Sequence, residues 1–363
     1  MSAVRSVPDQ RLRSLRALRA GPVSVLLTPR PLAVAGILVV AVAGLFALHV
    51  AFGGTALAYP EVLGALLGNT GDPRTHLAVT EFRAPRAVAA VLVGACLGAA
   101  GAITQTVARN PLASPDVLGV TSGASLGAVA VLVIGGGGYA GLSGFAASVG
   151  LPAAAFAAGL LSGAVVYLLA YRNGIDSFRL VLVGLGISGF TASVTTWILT
   201  LGDVTSAAQA LTWITGSLNG KDWALVRPMA VAAGVLLAAA VLCRRWLLLT
   251  SLGEDTAIGL GARIGPVRLT ALSIAVLLAA TATVVAGPLA FVALASPQVG
   301  RILAGSAIPP VVVSALTGAA FVLLADTVSA NALSVPLPAG VATAVLGAPF
   351  LIYLVLTSQR RLT

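Results

Sequence analysis

The chain has 363 residues, 58% of them hydrophobic and 9% charged, with a mean hydropathy of +1.03. These values exclude an ordinary soluble domain, where about a quarter of residues are charged, and a disordered chain, which needs low hydrophobicity. The formal charge of +10 comes from Arg residues and one lysine, Lys221, lying in the gaps between apolar runs, so it points to orientation in a membrane and not to nucleic acid.

Residues 1–31 form an Arg-rich tail carrying Arg5, Arg11, Arg13, Arg16, Arg19 and Arg30. The apolar run Leu32–Phe52 that follows is too long for the core of a signal peptide and is read as an uncleaved first span. Further spans are predicted over about 85–107, 115–134, 146–170, 180–201, 224–246, 267–286, 288–304, 309–331 and 336–358. That makes ten. Only Gly287–Pro288 separates the seventh and eighth, so nine remains open. The expected domain is therefore a single transmembrane unit over 32–358, with a short C-terminal tail over 359–363. With both termini in the cytoplasm, Lys and Arg divide 16 inside to five outside, as the positive-inside rule requires.

Leu112-Ala113-Ser114-Pro115-Asp116-Val117 recurs as Leu294-Ala295-Ser296-Pro297-Gln298-Val299, an offset of 182. Arg86 and Arg268, each opening a span, share that offset. Five spans separate the copies, an odd number, so the pattern reads as an inverted-topology repeat. The alternative is chance similarity in an Ala- and Leu-rich chain. Glycines at spacing four (Gly94/Gly98, Gly119/Gly123/Gly127, Gly159/Gly163) read as close helix packing, with a substrate path as the second reading.

Chemistry-bearing groups are sparse. His49 and His76 have no metal-ligand partner at helical spacing, there is no phosphate-binding loop, and no nucleophile or paired carboxylates occupy the spans. Cys96 and Cys243 read as packing residues. Asp326 stands in an apolar run, and both a hydrogen-bonding role and a transport role are open to it. Between Arg244 and Arg268, residues 251–261 read as a short helix with Ser251 as cap and Glu254 at the capping-box position. It would lie on the membrane or dock a cytoplasmic partner.

The chain resembles the permeases of the iron–siderophore and cobalamin class of ABC importers. The resemblance rests on Arg83-Ala84-Pro85-Arg86, Asn110-Pro111-Leu112-Ala113-Ser114-Pro115 and Leu118-Gly119-Val120-Thr121-Ser122-Gly123-Ala124. It continues through Gly216-Ser217-Leu218, Leu252-Gly253-Glu254, Ala286-Gly287-Pro288, Pro297-Gln298, Ala325-Asp326, Leu337-Pro338-Ala339-Gly340 and Gly347-Ala348-Pro349. It implies an all-α, type II importer permease fold of ten helices in a bacterial plasma membrane. It also implies a second permease chain, identical or different, two cytoplasmic ATPases and an external binding protein. This chain would bind no cofactor, with ATP and Mg on the ATPase. The resemblance assigns ATPase coupling to about 251–265, with Leu252, Gly253, Glu254, Ala257, Leu260 and Gly261 as contacts. It gives docking of the binding protein to Arg83 and Arg86, and an inner gate to Asn110, Pro111, Leu112, Asp176 and Ser177. Spans 5 and 10 would line the path. Two positions depart from the family: Gln298 where His is common, and Ala330 where an Arg often follows the acid. The implied cargo is a ferric siderophore, with haem or cobalamin as the alternative. A gradient-driven transporter would need titratable groups in the membrane, and Asp326 is the one candidate.

Overall fold

The apolar runs fold as helices whose ends fall on proline, glycine and capping aspartates. The computed structural model describes residues 16–20, 23–27, 29–53, 55–68, 72–135, 149–172, 177–251, 253–261, 263–331 and 337–359. In the tail, β1 (Arg16–Ala20) pairs antiparallel with β2 (Val23–Leu27), an element that the sequence reading did not include. α1 (Pro29–Ala51) leads through the two-residue strands β3 (Phe52–Gly53) and β4 (Thr55–Ala56) to α2 (Tyr59–Leu66). α3 (Pro73–Leu77), N-capped by Asp72, runs through a π-helical turn (Ala78–Arg83) into α4 (Ala84–Ala108). A 3-10 turn (Pro115–Leu118) precedes α5 (Val120–Ile134). Then come α6 (Leu151–Ala170), α7 (Ser177–Leu201), α8 (Val204–Ile214) and α9 (Trp223–Leu242). Asp203 and Asp222 cap the last two by accepting backbone N–H bonds. α10 (Arg244–Ser251) and α11 (Glu254–Gly259) are short; α12 (Ile264–Ala286), α13 (Val292–Ala304), α14 (Val311–Asn331) and α15 (Ala339–Gln359) complete the chain.

Among the described residues, seven helices are long and apolar enough to cross a membrane, and α5 and α15 add shorter apolar segments. α13 corrects the expected span 288–304. At 13 residues it reaches only about 20 Å at 1.5 Å per residue, short of the hydrocarbon thickness of about 30 Å. The chain turns instead at Gly287, whose φ is 71°, and at Phe291. Counted with this half-length member, the described residues hold ten apolar helical segments.

α4, α12 and α14 form the interior: 78%, 72% and 61% of their apolar windows are buried, against 6% for α1. Their contacts use very small residues. A Cβ on Gly94 would fall on the carbonyl of Gly318, and one on Gly98 on the carbonyl of Ser314, so α4 and α14 touch backbone to backbone. Gly123 and Gly127 bring α5 as close to Ser162, Ala158 and Ala154 of α6. Lipid tails are as apolar as Leu, so helices in a bilayer gain from such close van der Waals packing and not from hiding apolar surface. The packing reading of these glycines holds.

The internal repeat is also visible in the backbone. Arg109 and Phe291 are the non-glycine residues with positive φ among the described residues, at 50° and 65°, and they lie 182 apart. Each stands just ahead of the repeated motif, Arg109 as the C-cap of α4 and Phe291 as the N-cap of α13, five residues past the end of α12. Contacts at the helix ends give the direction of each copy. Trp223 Nε1 donates to the Thr80 carbonyl (2.8 Å), Ser217 N to Ala286 (2.7 Å) and Gly340 N to Gly216 (3.0 Å). The start of α4, the end of α12 and the start of α15 therefore share one face, together with the end of α1. α4 and α12 are antiparallel, the inversion that the odd spacing requires. α1 and α15 extend from that face toward the opposite one, the side on which α4 ends at Arg109; there Arg30, at the start of α1, donates to the Leu303 carbonyl of α13 (3.1 Å).

Candidate functional site

Among the described residues, three places where polar side chains have defined partners bear on function. The first is on the face where α1 ends. Asp326, on α14 and 1% exposed, accepts from Arg86 Nε (2.7 Å) and Nη2 (2.9 Å), and from His49 Nε2 (2.7 Å). One carboxylate thus fastens α1, α4 and α14. A forked guanidinium on a carboxylate is a strong, oriented pair, and a buried acid needs such compensation. Sequence reasoning found the acid and both partners without joining them, because they lie 240 and 277 residues apart. Arg86, expected to dock a partner beside Arg83, is turned inward onto this pair. Arg83 is half-buried, with Nη1 donating to the last carbonyls of α1, Val50 (2.9 Å) and Ala51 (3.1 Å). Exposed residues of the segment leading to Arg83 include Arg74, His76, Glu81 and Phe82.

The second place is the middle of the repeat. Gln298, standing where the other copy has Asp116, donates through Nε2 to Gln105 Oε1, and Gln105 Nε2 donates to the Leu294 carbonyl (3.1 Å). This neutral amide pair ties α4 to α13. In the other copy, Asp116 accepts from Thr121 Oγ1 (3.0 Å).

The third is the opposite face. α4 ends at Arg109, and the turn that follows is held by Asn110 Oδ1, which accepts from Leu112 N (2.9 Å). Pro111 and Leu112 are exposed, and Ser114 and Pro115 are buried. The 3-10 turn then seats on α7, where a Cβ on Gly184 would fall on the Val117 carbonyl. Ser122 and Ser188 Oγ atoms meet at 3.3 Å. Asp176 lies outside the described residues, as does the Ser177 side chain. Arg109 Nη2 donates to the Thr250 carbonyl (2.8 Å), so this turn also touches α10.

The knob beyond α10 differs in detail from its sequence reading. Ser251 does not cap α11; it ends α10 and its hydroxyl donates to the Leu248 carbonyl (2.7 Å). Gly253, at φ 110°, is the N-cap, a backbone setting that side chains resist. Ala257 is fully buried and anchors the knob rather than facing a partner. Ile258, Gly259, Leu260 and Gly261 are exposed, Ile258 at 59% and Leu260 at 62%. Leu252 and the Glu254 side chain lie outside the described residues.

α7 carries one further feature. Gly186, Gly189, Ser193, Thr196 and Thr200 are all exposed and recur every three or four residues, which places them on one side of the helix. A Cβ at Gly186 or Gly189 would meet nothing within 4 Å.

With this geometry in view, a family model described as the FecCD transport family matches residues 37–357. The chain belongs to the FecCD transport family. It is 40% identical over 323 residues to the ferric enterobactin transport system permease protein FepG of Escherichia coli (strain K12), covering 88% of this chain and 94% of that one. It is 35% identical to the iron(3+)-hydroxamate import system permease protein FhuG of Bacillus subtilis (strain 168), covering 92% and 99%. A solved structure described as an inward-facing, metal-chelate type ABC transporter superposes with a TM-score of 0.78 at 24% identity, covering 90% of this chain and 99% of that one. That likeness shows the type II importer permease fold. The FecCD member described here is accordingly a multi-pass membrane permease. In this family, ATP hydrolysis belongs to a separate subunit.

Proposed function

We propose that this chain forms one half of the translocation path of a bacterial inner-membrane importer for ferric siderophores. The observation that carries the reading is the open face of α7. A stripe of glycines and hydroxyls runs along α7, exposed among the described residues. Opposed to the same face of a second permease, it would make an uncharged, weakly hydrogen-bonding corridor suited to a bulky chelate. The named cargoes of the relatives, ferric enterobactin, iron(3+)-hydroxamate and Fe(3+)-citrate, support a ferric chelate over cobalamin or haem.

The Arg109 face is assigned to the cytoplasm, with both termini, because the positive-inside count favours it. The ATPase then grips the exposed side of 258–261, and an external binding protein settles on the opposite face around Arg83 and its exposed neighbours. ATP binding shifts the population between outward- and inward-open states. A gradient-driven reading loses its one candidate, since Asp326 is locked between Arg86 and His49.

The test is reconstitution in liposomes with the partner ATPase and binding protein, measuring uptake of radiolabelled iron as catecholate, hydroxamate and citrate complexes. ATP-dependent uptake of at least one is expected. Uptake that survives ATP depletion but stops on collapse of the proton gradient would overturn the proposal.

A further inference from the structure

We propose that Arg109 is the strut that carries motion of the ATPase-gripped knob to the path helix α7; this rests on the knob assignment of the preceding section. Three observations converge on it. First, Arg109 occupies a left-handed backbone position, φ 50° and ψ 32°, at the end of α4. Glycine fits such a position without strain and arginine does not, so the local backbone gives no reason for the residue found there. Its side chain supplies one: Nη2 donates to the Thr250 carbonyl at 2.8 Å.

Second, that carbonyl sits in the last turn of α10, where helix carbonyls lack internal partners and carry partial negative charge. Thr250 is 3% exposed, so its carbonyl is met by the guanidinium in a sheltered place. Three residues on stands Gly253, at φ 110°, and then the knob. Thr250 thus lies in the last turn of α10, just ahead of the segment the ATPase would pull.

Third, the contact continues. The turn after Arg109 is stiffened by the Asn110–Leu112 hydrogen bond. It passes into the Pro115–Leu118 turn, whose Val117 carbonyl packs against Gly184 of α7. Gly186 and Gly189, on the open stripe, are within two turns of that contact. α10, which leads into the knob, is therefore linked through Arg109 and the 110–118 turn to α7. Arg109 acts as a positioning residue, without touching the cargo.

The test uses the complete transporter in liposomes, with Arg109→Gly and Arg109→Asn. Both substitutions suit a left-handed backbone and neither reaches Thr250. The expected result is normal co-purification with the ATPase and retained ATP hydrolysis, with iron transported per ATP falling about tenfold. An unchanged transport-to-ATP ratio in both variants would overturn the proposal. So would failure of both to assemble, because Arg109 would then be a simple fastener. If wild-type permease itself neither binds nor is driven by the ATPase, the knob assignment fails instead, and that outcome is read from the wild type alone.

Discussion

Replacing Asp326 by Leu should destabilise the fold more than most single changes, because it leaves Arg86 and His49 without their shared acceptor. Breaking a buried ion pair from one side costs about 3–5 kcal/mol. The Arg86 side chain keeps 24% of its exposure, so water reaches part of it, and the lower end of about 3 kcal/mol applies. That corresponds to roughly 150-fold in the folded-to-unfolded ratio. Arg86→Met alone should cost a similar amount, since it leaves a 1%-exposed carboxylate with only His49. Combined, the two changes remove both charges together, and the remaining cost should fall to about 1–2 kcal/mol, for the His49 imidazole left without an acceptor. The coupling energy from the double-mutant cycle is then about 4–5 kcal/mol in magnitude. Reversible unfolding in mixed detergent micelles, followed by tryptophan fluorescence, measures all four corners. Single effects that add to within about 0.5 kcal/mol would refute the claim that one carboxylate fastens three helices.

Gly189→Trp adds bulk where nothing stands within 4 Å, so the chain should fold normally. Iron uptake in liposomes should be lost while ATP hydrolysis continues; wild-type uptake would show that this face meets lipid and not cargo. Gly94→Val should cost about 1–3 kcal/mol or more, because the new carbon falls on the immobile carbonyl of Gly318; a thermal unfolding scan in detergent at wild-type temperature would count against that contact. Hydrogen bonds from Ser206 hold the Asp203 carboxyl below its ordinary pKa. A depressed folded-state value means that its contribution is present above the unfolded value of about 3.9 and is lost as pH falls through the lower folded one. Amide-exchange protection at the start of α8 should therefore weaken on acidification below about pH 4, and Asp203→Asn should remove that pH dependence while keeping the cap.

The order and approximate position of the long apolar helices were legible from the sequence because the membrane imposes a length and a composition on every span, whereas the short α2, α3 and α8 were not. The repeat was legible too, since Leu112–Val117 and Leu294–Val299 are nearly the same six residues, and their oddness in span count forces inversion. Glycines at spacing four announced close packing for the same local reason. The tertiary structure decided what joins what. Asp326, Arg86 and His49 meet across 240 and 277 residues, a distance over which no periodicity speaks. Nothing local distinguishes Arg109 from the other arginines of the loops; only its left-handed backbone and the carbonyl of Thr250 set it apart. The half-length of α13 was hidden because apolar composition continues through the turns at Gly287 and Phe291, and hydropathy measures solvent preference rather than direction. Pattern reports what a residue wants around it; which residue supplies it depends on helices packing in three dimensions.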